Sequence, residues 1–193
     1  QSAQELVSPY ARTKLAVEWM IRDFAHAYGL GYTLLRYFNA AGAEPDGSHG
    51  EDHSPETHLI PLVLEVPLGK RSHIDVFGTD YATPDGTCVR DYIHIRDLAS
   101  AHWLAIQAIS ETTAEVFNLG TETGNSVMEV IQACERVTGK PIPTRVTERR
   151  PGDPPALVAD ASKIRTQLGW KLNYRDISSI VETAWAWHSR RPN

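Results

Sequence analysis

The sequence predicts an α/β fold built on a parallel sheet. Three observations carry this expectation. A helical stretch from Pro9 to Tyr28 is followed, after a glycine turn, by the strand-like run Tyr32 to Phe38, which is one αβ unit of a parallel sheet. Helix-period and strand-period segments then alternate to the end of the chain. Finally, 193 residues of which 41% are hydrophobic can hold one α/β domain with a real core, or parts of two.

The first helix starts at Ser8, a good N-cap, with Pro9 at the first helical position. Tyr10, Lys14, Val17, Ile21, Phe24 and Tyr28 recur at steps of four and three, so they form one continuous face, which we expect to point inward. Gly29 and Gly31 stop this helix. The strand after it leads into Asn39-Ala40-Ala41-Gly42-Ala43, read as a small-residue loop at the carboxyl end of the strand, where open α/β sheets place ligands. Residues 45–55 read as a polar loop, His58 to Leu68 as a helix, and Ile74 to Phe77 as a short strand closed by Gly78. Asp85-Gly86 marks a turn within 80–87. Further on, the pattern predicts helices over 96–109, 127–137, 161–168 and 176–189, and strands over 115–119 and 144–147.

Net charge is −5 and the basic residues are scattered, which argues against nucleic acid and anionic membrane surfaces as partners. No apolar run approaches the ~20 residues that span a bilayer. Cys88 and Cys134 stand far apart without a CxxC, so a disulfide framework or zinc site is not expected and a cytoplasmic setting fits. His49 and His53 flank Gly50-Glu51-Asp52; the surrounding glycines and Pro55 argue for a solvated loop, and no metal is expected. Trp170, Trp185 and Trp187 read as packing residues.

Lys14 is the misfit on the apolar stripe, because an ammonium on an inward face is unfavourable unless its charge is used. Tyr10, one turn earlier, is a candidate user. A nearby cation and the positive end of the helix dipole both favour a phenolate, so a Tyr-xxx-Lys pair can act as acid/base toward a sugar or alcohol hydroxyl.

Ser8-Pro9-Tyr10-Ala11-Arg12-Thr13-Lys14, its helix, and Leu34-Leu35-Arg36-Tyr37-Phe38-Asn39-Ala40-Ala41-Gly42 together resemble the extended short-chain dehydrogenase/reductase family. The stretch from Phe77 to His94, then Asn118 to Val127 and Arg149-Arg150-Pro151-Gly152-Asp153, resembles in order the UDP-glucose 4-epimerase branch of it. The resemblance implies NAD as cofactor and UDP-glucose/UDP-galactose as substrates. It makes Tyr10 the catalytic acid/base, with Lys14 lowering its pKa and holding the nicotinamide ribose. It puts Tyr37 and Phe38 near the cofactor and Asn39 on the nucleotide-sugar. Arg90 and Arg150 would hold the diphosphate, Asp153 would accept a uridine ribose hydroxyl, and Leu59 with Asp75-Val76-Phe77 would surround the uracil. His58 replaces an Asn frequent in the family, and Leu157, intermediate in size, leaves tolerance of N-acetylated sugars open. Homodimers built from helices on a face of the sheet are also implied.

A nicotinamide enzyme of this kind needs a strand, a Gly-x-x-Gly-x-x-Gly turn and a helix. The chain carries no such fingerprint, and the family's Ser/Thr upstream of the Tyr is also outside it. We therefore expect residues 1–43 to belong to the Rossmann-like domain and 44–193 mainly to the UDP-sugar-binding domain, with segments near 90–120 returning to the sheet. Activity would need an N-terminal nucleotide-binding half. Two other readings stand beside this one: another nucleotide-sugar dehydratase or decarboxylase of the same family, and a non-catalytic UDP-sugar-binding fragment.

Overall fold

The computed structural model describes residues 9–190. In chain order the elements are α1 (Pro9–Tyr28), β1 (Tyr32–Tyr37), β2 (Asn39–Ala41), α2 (Leu59–Leu64), β3 (Ile74–Phe77), β4 (Val89–Arg90), β5 (Tyr92–His94) and α3 (Ile95–Ala108). They continue as β6 (Ala114–Leu119), β7 (Asn125–Ser126), α4 (Val127–Thr138), β8 (Thr144–Thr147), β9 (Ala156–Leu157), α5 (Ser162–Leu168) and α6 (Ile177–His188). Mixed α/β architecture with parallel pairing is what the alternating periodicity predicts.

Four pairings are parallel. β1 runs beside β6 from Tyr32↔Ala114 to Tyr37↔Leu119, and its continuation β2 runs beside β5 from Asn39↔Tyr92 to Ala41↔His94. β3 pairs with β8, and β4 pairs with β9 on one side while meeting β7 antiparallel on the other. Five of these strands, β2, β4, β5, β7 and β9, are only two or three residues long. Such short strands carry no readable period, which is why Asn39 to Ala41 reads as loop from sequence alone.

The longer helices follow their start and stop signals. α4 opens on a capping box in which Ser126 and Glu129 satisfy each other's backbone amides, and Gly139 closes it in the left-handed conformation. α6 is capped by Asp176, whose carboxylate accepts from the Ser179 amide at 2.9 Å. α3 is capped by His94, whose Nδ1 accepts from the Arg96 amide at 3.1 Å.

Two hydrophobic clusters result. One gathers α2, β3, α4 and α6 around Ile60, Val63, Leu64, Val76, Val130, Ile131, Ile180 and Val181. The other gathers β5, α3, β6 and α5 around Ile93, Ala101, Phe117, Leu119, Ile164 and Trp170, with Leu35 of β1 packed against it. Fully burying each of these aliphatic side chains stabilises by roughly 1.5–3 kcal/mol.

Two buried carboxylates knit the elements together. Asp91, between β4 and β5, accepts from the Thr121 amide and hydroxyl at 2.8 and 2.7 Å, the Glu122 amide at 3.0 Å and the Ala159 amide at 3.1 Å. Gly120 permits this closeness, since a Cβ there would meet the Asp91 carboxylate and the Ala159 methyl. Asp97 in α3 accepts from the Asn173 and Tyr174 amides and the Asn173 side chain, and the Trp170 indole donates to its carbonyl at 3.0 Å.

α1 departs from expectation. The stripe of Tyr10, Lys14, Val17, Ile21, Phe24 and Tyr28 does not point inward: Tyr10 is 71% exposed and Phe24 55%, and of the six only Ile21 is half-buried. The side turned to the body is Ala11, Leu15, Glu18 and Ala25. Its anchor is polar: Arg36 of β1 donates from Nε and Nη2 to the two Glu18 oxygens at 2.6 and 2.5 Å. That bond holds the Glu18 carboxyl below its ordinary value. The stripe is apolar as read, but the described residues supply nothing to cover it. The Ser8 cap lies outside the described residues.

His94 gives the fold a pH dependence. Burial pushes its imidazole down to about 4, with the Asp97 charge opposing this. The folded state therefore holds it neutral while the unfolded chain protonates it near the unperturbed value of about 6.5, so this contribution is present above that pH and is lost as pH falls towards 4. At pH 5 the loss from this group is about 2 kcal/mol relative to pH 8, measurable by urea denaturation, and His94→Gln flattens the profile over that window. Asp91→Ala, which strands three buried amides and a hydroxyl, is expected to lower stability by about 3 kcal/mol or more in the same assay.

Candidate active site

A cavity of about 360 Å³ opens where the carboxyl ends of β2, β3 and β4 converge with α2. Eight predicted site residues line it together: Asn39, His58, Leu59, Asp75, Phe77, Arg90, Arg150 and Asp153. They come from points spread over more than a hundred residues, and the strand pairing brings them to one place.

Local structure explains each position. Asn39, at the first register position of β2, donates from Nδ2 to the Asp91 carbonyl at 2.8 Å, which fixes its side chain beside β5. β3 alternates, so Asp75 and Phe77 reach the cavity while Val76 is buried in the first core cluster. Val76, expected beside them, thus lies behind Asp75 and Phe77 rather than among the cavity-lining residues. His58 is the residue before α2 and Leu59 its first, placing both at the cavity rim.

Electrostatically the cavity is a ring of cations restrained by carboxylates and aromatic faces. Arg90 donates to Asp153 Oδ1 in a close ion pair and to the Val89 carbonyl at 2.7 Å. Cys88 Sγ lies 3.7 Å from Asp153 Oδ2. Arg150 stacks its guanidinium 3.9 Å above the Phe77 ring. Arg145 of β8 holds Asp75 through two bonds at 2.8 and 3.2 Å, which keeps that carboxyl below its ordinary value. Planar guanidiniums held at the rim of an apolar cleft are suited to oxygens of a phosphate.

The remaining predicted residues lie outside the cavity. Lys14 Nζ sits 5.3 Å from the Tyr10 ring centroid, so the helical spacing does bring the pair into contact, on the exposed face of α1. Tyr37 is exposed at the end of β1 with its ring 6.3 Å from His102, and Phe38 is half-buried between β1 and β2. Leu157 is exposed on β9, opposite Arg90 in the register.

Among the lining residues that sequence reading missed are Cys88, Tyr92 and Val127. Tyr92 is buried, which pushes its phenol above the ordinary range. The available signal was the position of Cys88 and Tyr92 on either side of Arg90-Asp91; Val127 carried none.

Comparison with known proteins agrees with this fold. The profile of the NAD dependent epimerase/dehydratase family matches residues 2–120. The chain belongs to that family. The UDP-glucose 4-epimerase of Halalkalibacterium halodurans is 52% identical over 187 residues, which are 96% of this chain and 56% of that protein. The Streptococcus mutans UDP-glucose 4-epimerase is 50% identical over 190 residues, 98% of this chain and 57% of the relative. Among solved structures, a Bifidobacterium longum UDP-glucose 4-epimerase in complex with NAD⁺ and UDP superposes with a TM-score of 0.93 at 42% identity, covering 100% of this chain and 58% of that one. A Brucella ovis UDP-glucose 4-epimerase in complex with NAD gives a TM-score of 0.90 at 49% identity, covering 95% and 57%. This member of the epimerase/dehydratase family thus spans little more than half the length of the relatives it matches.

The two thiols report on the cavity. Cys134 is buried away from it, and burial pushes its thiol up to about 12, whereas Cys88 lines it. At pH 8 a thiol reagent is expected to label Cys88 well before Cys134. An occupant of the cavity should slow the first reaction without touching the second, as peptide mass mapping would read.

Proposed function

We propose that this chain supplies the sugar-nucleotide site and the acid/base pair of an NAD-dependent enzyme interconverting UDP-glucose and UDP-galactose, a step of galactose metabolism. The observation that carries the reading is the convergence of Arg90, Arg150, Asp153, Asn39, Leu59 and Phe77 on one cavity. Its dimensions and lining suit a uridine diphosphate: Phe77 and Leu59 for the base, Arg90 and Arg150 for the two phosphates, and Asp153 for a ribose hydroxyl. Arg90 and Asp153 are paired with each other here, so each reaches its ligand by exchanging that partner for a phosphate or a hydroxyl.

Bound NAD would supply the removal of hydride from C4 of the sugar and its return to the opposite face. The residues of this chain fit that group in two ways: Tyr10 and Lys14 present donors for a ribose on an exposed helix face, and Tyr37 and Phe38 offer ring surface at the end of β1. Tyr10 takes the O4 proton as C4 is oxidised, and returns it to O4 after the keto sugar has turned. Lys14 favours the phenolate that exists before the O4 proton is taken and again after it is returned. Asn39 and Arg90 hold the diphosphate end while the hexose rotates.

Among the described residues β1 pairs only with β6, and the apolar stripe of α1 is exposed. Both features support a longer sheet in the active protein. We further propose that residues 1–43 act with such a nucleotide-binding region and that 44–193 mainly bind the UDP-sugar. The outward faces of α1 and α3, with Val17, Met20, Trp103 and Ile106 exposed, support a homodimer. No described helix is long and apolar enough to cross a membrane, and two free buried cysteines support a reducing, cytoplasmic setting.

The test has two parts. Calorimetric titration of the 193-residue chain with UDP should show saturable binding that Arg150→Ala weakens at least about tenfold, with little affinity for NAD⁺ and no turnover. In a protein of the relatives' length, Tyr10→Phe should lower kcat for UDP-galactose by about 10²-fold or more. Near-normal activity of that variant would show that another group is the base. A dehydratase or decarboxylase of the same family would be revealed by loss of water or CO₂ from the product.

A further inference from the structure

Residues 50–58 are the second part of the loop between β2 and α2, and the sugar-nucleotide reading uses only His58 from it. The loop is anchored at both ends. Gly50 packs so closely on the Trp187 indole that a Cβ would enter the ring, and Trp187 Nε1 donates to the Glu51 carbonyl at 2.9 Å. At the far end, the Thr57 and His58 amides donate to Glu56 Oε1 at 2.6 and 2.8 Å, which sets the direction of that carboxylate.

Between these anchors, Glu51, His53, Glu56 and His58 each bring one nitrogen or oxygen within 4.8 Å of the other three. His58 Nδ1 lies 2.5 Å from Glu51 Oε1 and 3.2 Å from Glu56 Oε1, and His53 Nδ1 lies 3.8 Å from Glu56 Oε1. Among the described residues, the ion-pair partners of Glu51 and Glu56 are these two histidines alone. Holding four exposed or half-buried polar side chains on one point costs rotamer freedom, with little burial to offset it.

We propose that Glu51, His53, Glu56 and His58 form a site for a divalent transition metal, with Zn²⁺ the best match. Two imidazole nitrogens and two carboxylate oxygens make a four-membered borderline donor set, whereas Ca²⁺ and Mg²⁺ want six or more oxygens. Tetrahedral ligands about 2.0–2.1 Å from zinc stand about 3.3 Å apart, and the three separations here bracket that value, so small side-chain rotations complete the shell. A dication also neutralises two carboxylates that no lysine or arginine among the described residues pairs with. The sequence pairs His49 with His53, but the fold turns His49 to Ser48 and puts His58 in its place.

The experiment is calorimetric titration of the tag-free 193-residue chain with Zn²⁺ in a non-chelating buffer, without nucleotide, so the result stands apart from the UDP reading. One ion per chain is expected, and Co²⁺ should give the intense visible spectrum of a tetrahedral site. His53→Ala, at a side chain 51% exposed, and Glu56→Gln, which keeps an oxygen for the two amides, should each weaken binding about tenfold or more. His49→Ala should leave it unchanged. The absence of saturable one-to-one binding, or His53→Ala binding as tightly as the parent, would overturn the site.

Discussion

The fully buried carboxylate of Asp91 is the constraint on which the site depends. It sits between β4 and β5 and receives donors from the adjacent Thr121 and Glu122 and from Ala159, so two distant segments close on one charge. A buried carboxylate without such donors would be strongly unfavourable, so the segments must come together for the charge to be tolerated. Its own backbone carbonyl meanwhile accepts both the Asn39 amide and the Asn39 side chain. Arg90 on one side of Asp91 and Tyr92 on the other therefore reach the cavity from a position that three other segments have fixed.

The cavity walls inherit that rigidity but keep exchangeable partners. Arg90 with Asp153 and Arg145 with Asp75 are pairs in which a cation and its carboxylate are both held near the opening. Arg150 is held by the face of Phe77 instead. Charges arranged in this way stay ordered without a ligand and can trade one hydrogen-bond partner for another when an anion arrives.

The Tyr10/Lys14 pair stands apart from that cavity on an exposed helix face, tied to the sheet through the Glu18–Arg36 bridge. An exposed apolar stripe on α1 and a β1 strand that, among the described residues, pairs only with β6 mark two elements open to further contact. The chain covers little more than half of each relative reported above, and the face that would meet further protein is the one that carries the proposed acid/base.

Much was legible in the residues themselves. The helical pattern over 127–137 marked α4, and the run Ile74 to Phe77 closed by Gly78 marked β3, because periods and turn residues act over a few neighbours and need no distant partner. The resemblance of the Arg90 and Arg150-to-Asp153 segments to known epimerases likewise named residues that do share a cavity. The tertiary structure alone decided the rest. Two-residue strands such as β4 and β9 exist only through their pairing, Val76 was turned into the core by strand register, and His58 replaced His49 beside His53 through the path of a loop anchored on Trp187. The direction of the α1 stripe belongs here too: periodicity shows that six residues share a face, but which side of a helix is buried depends on what lies against it.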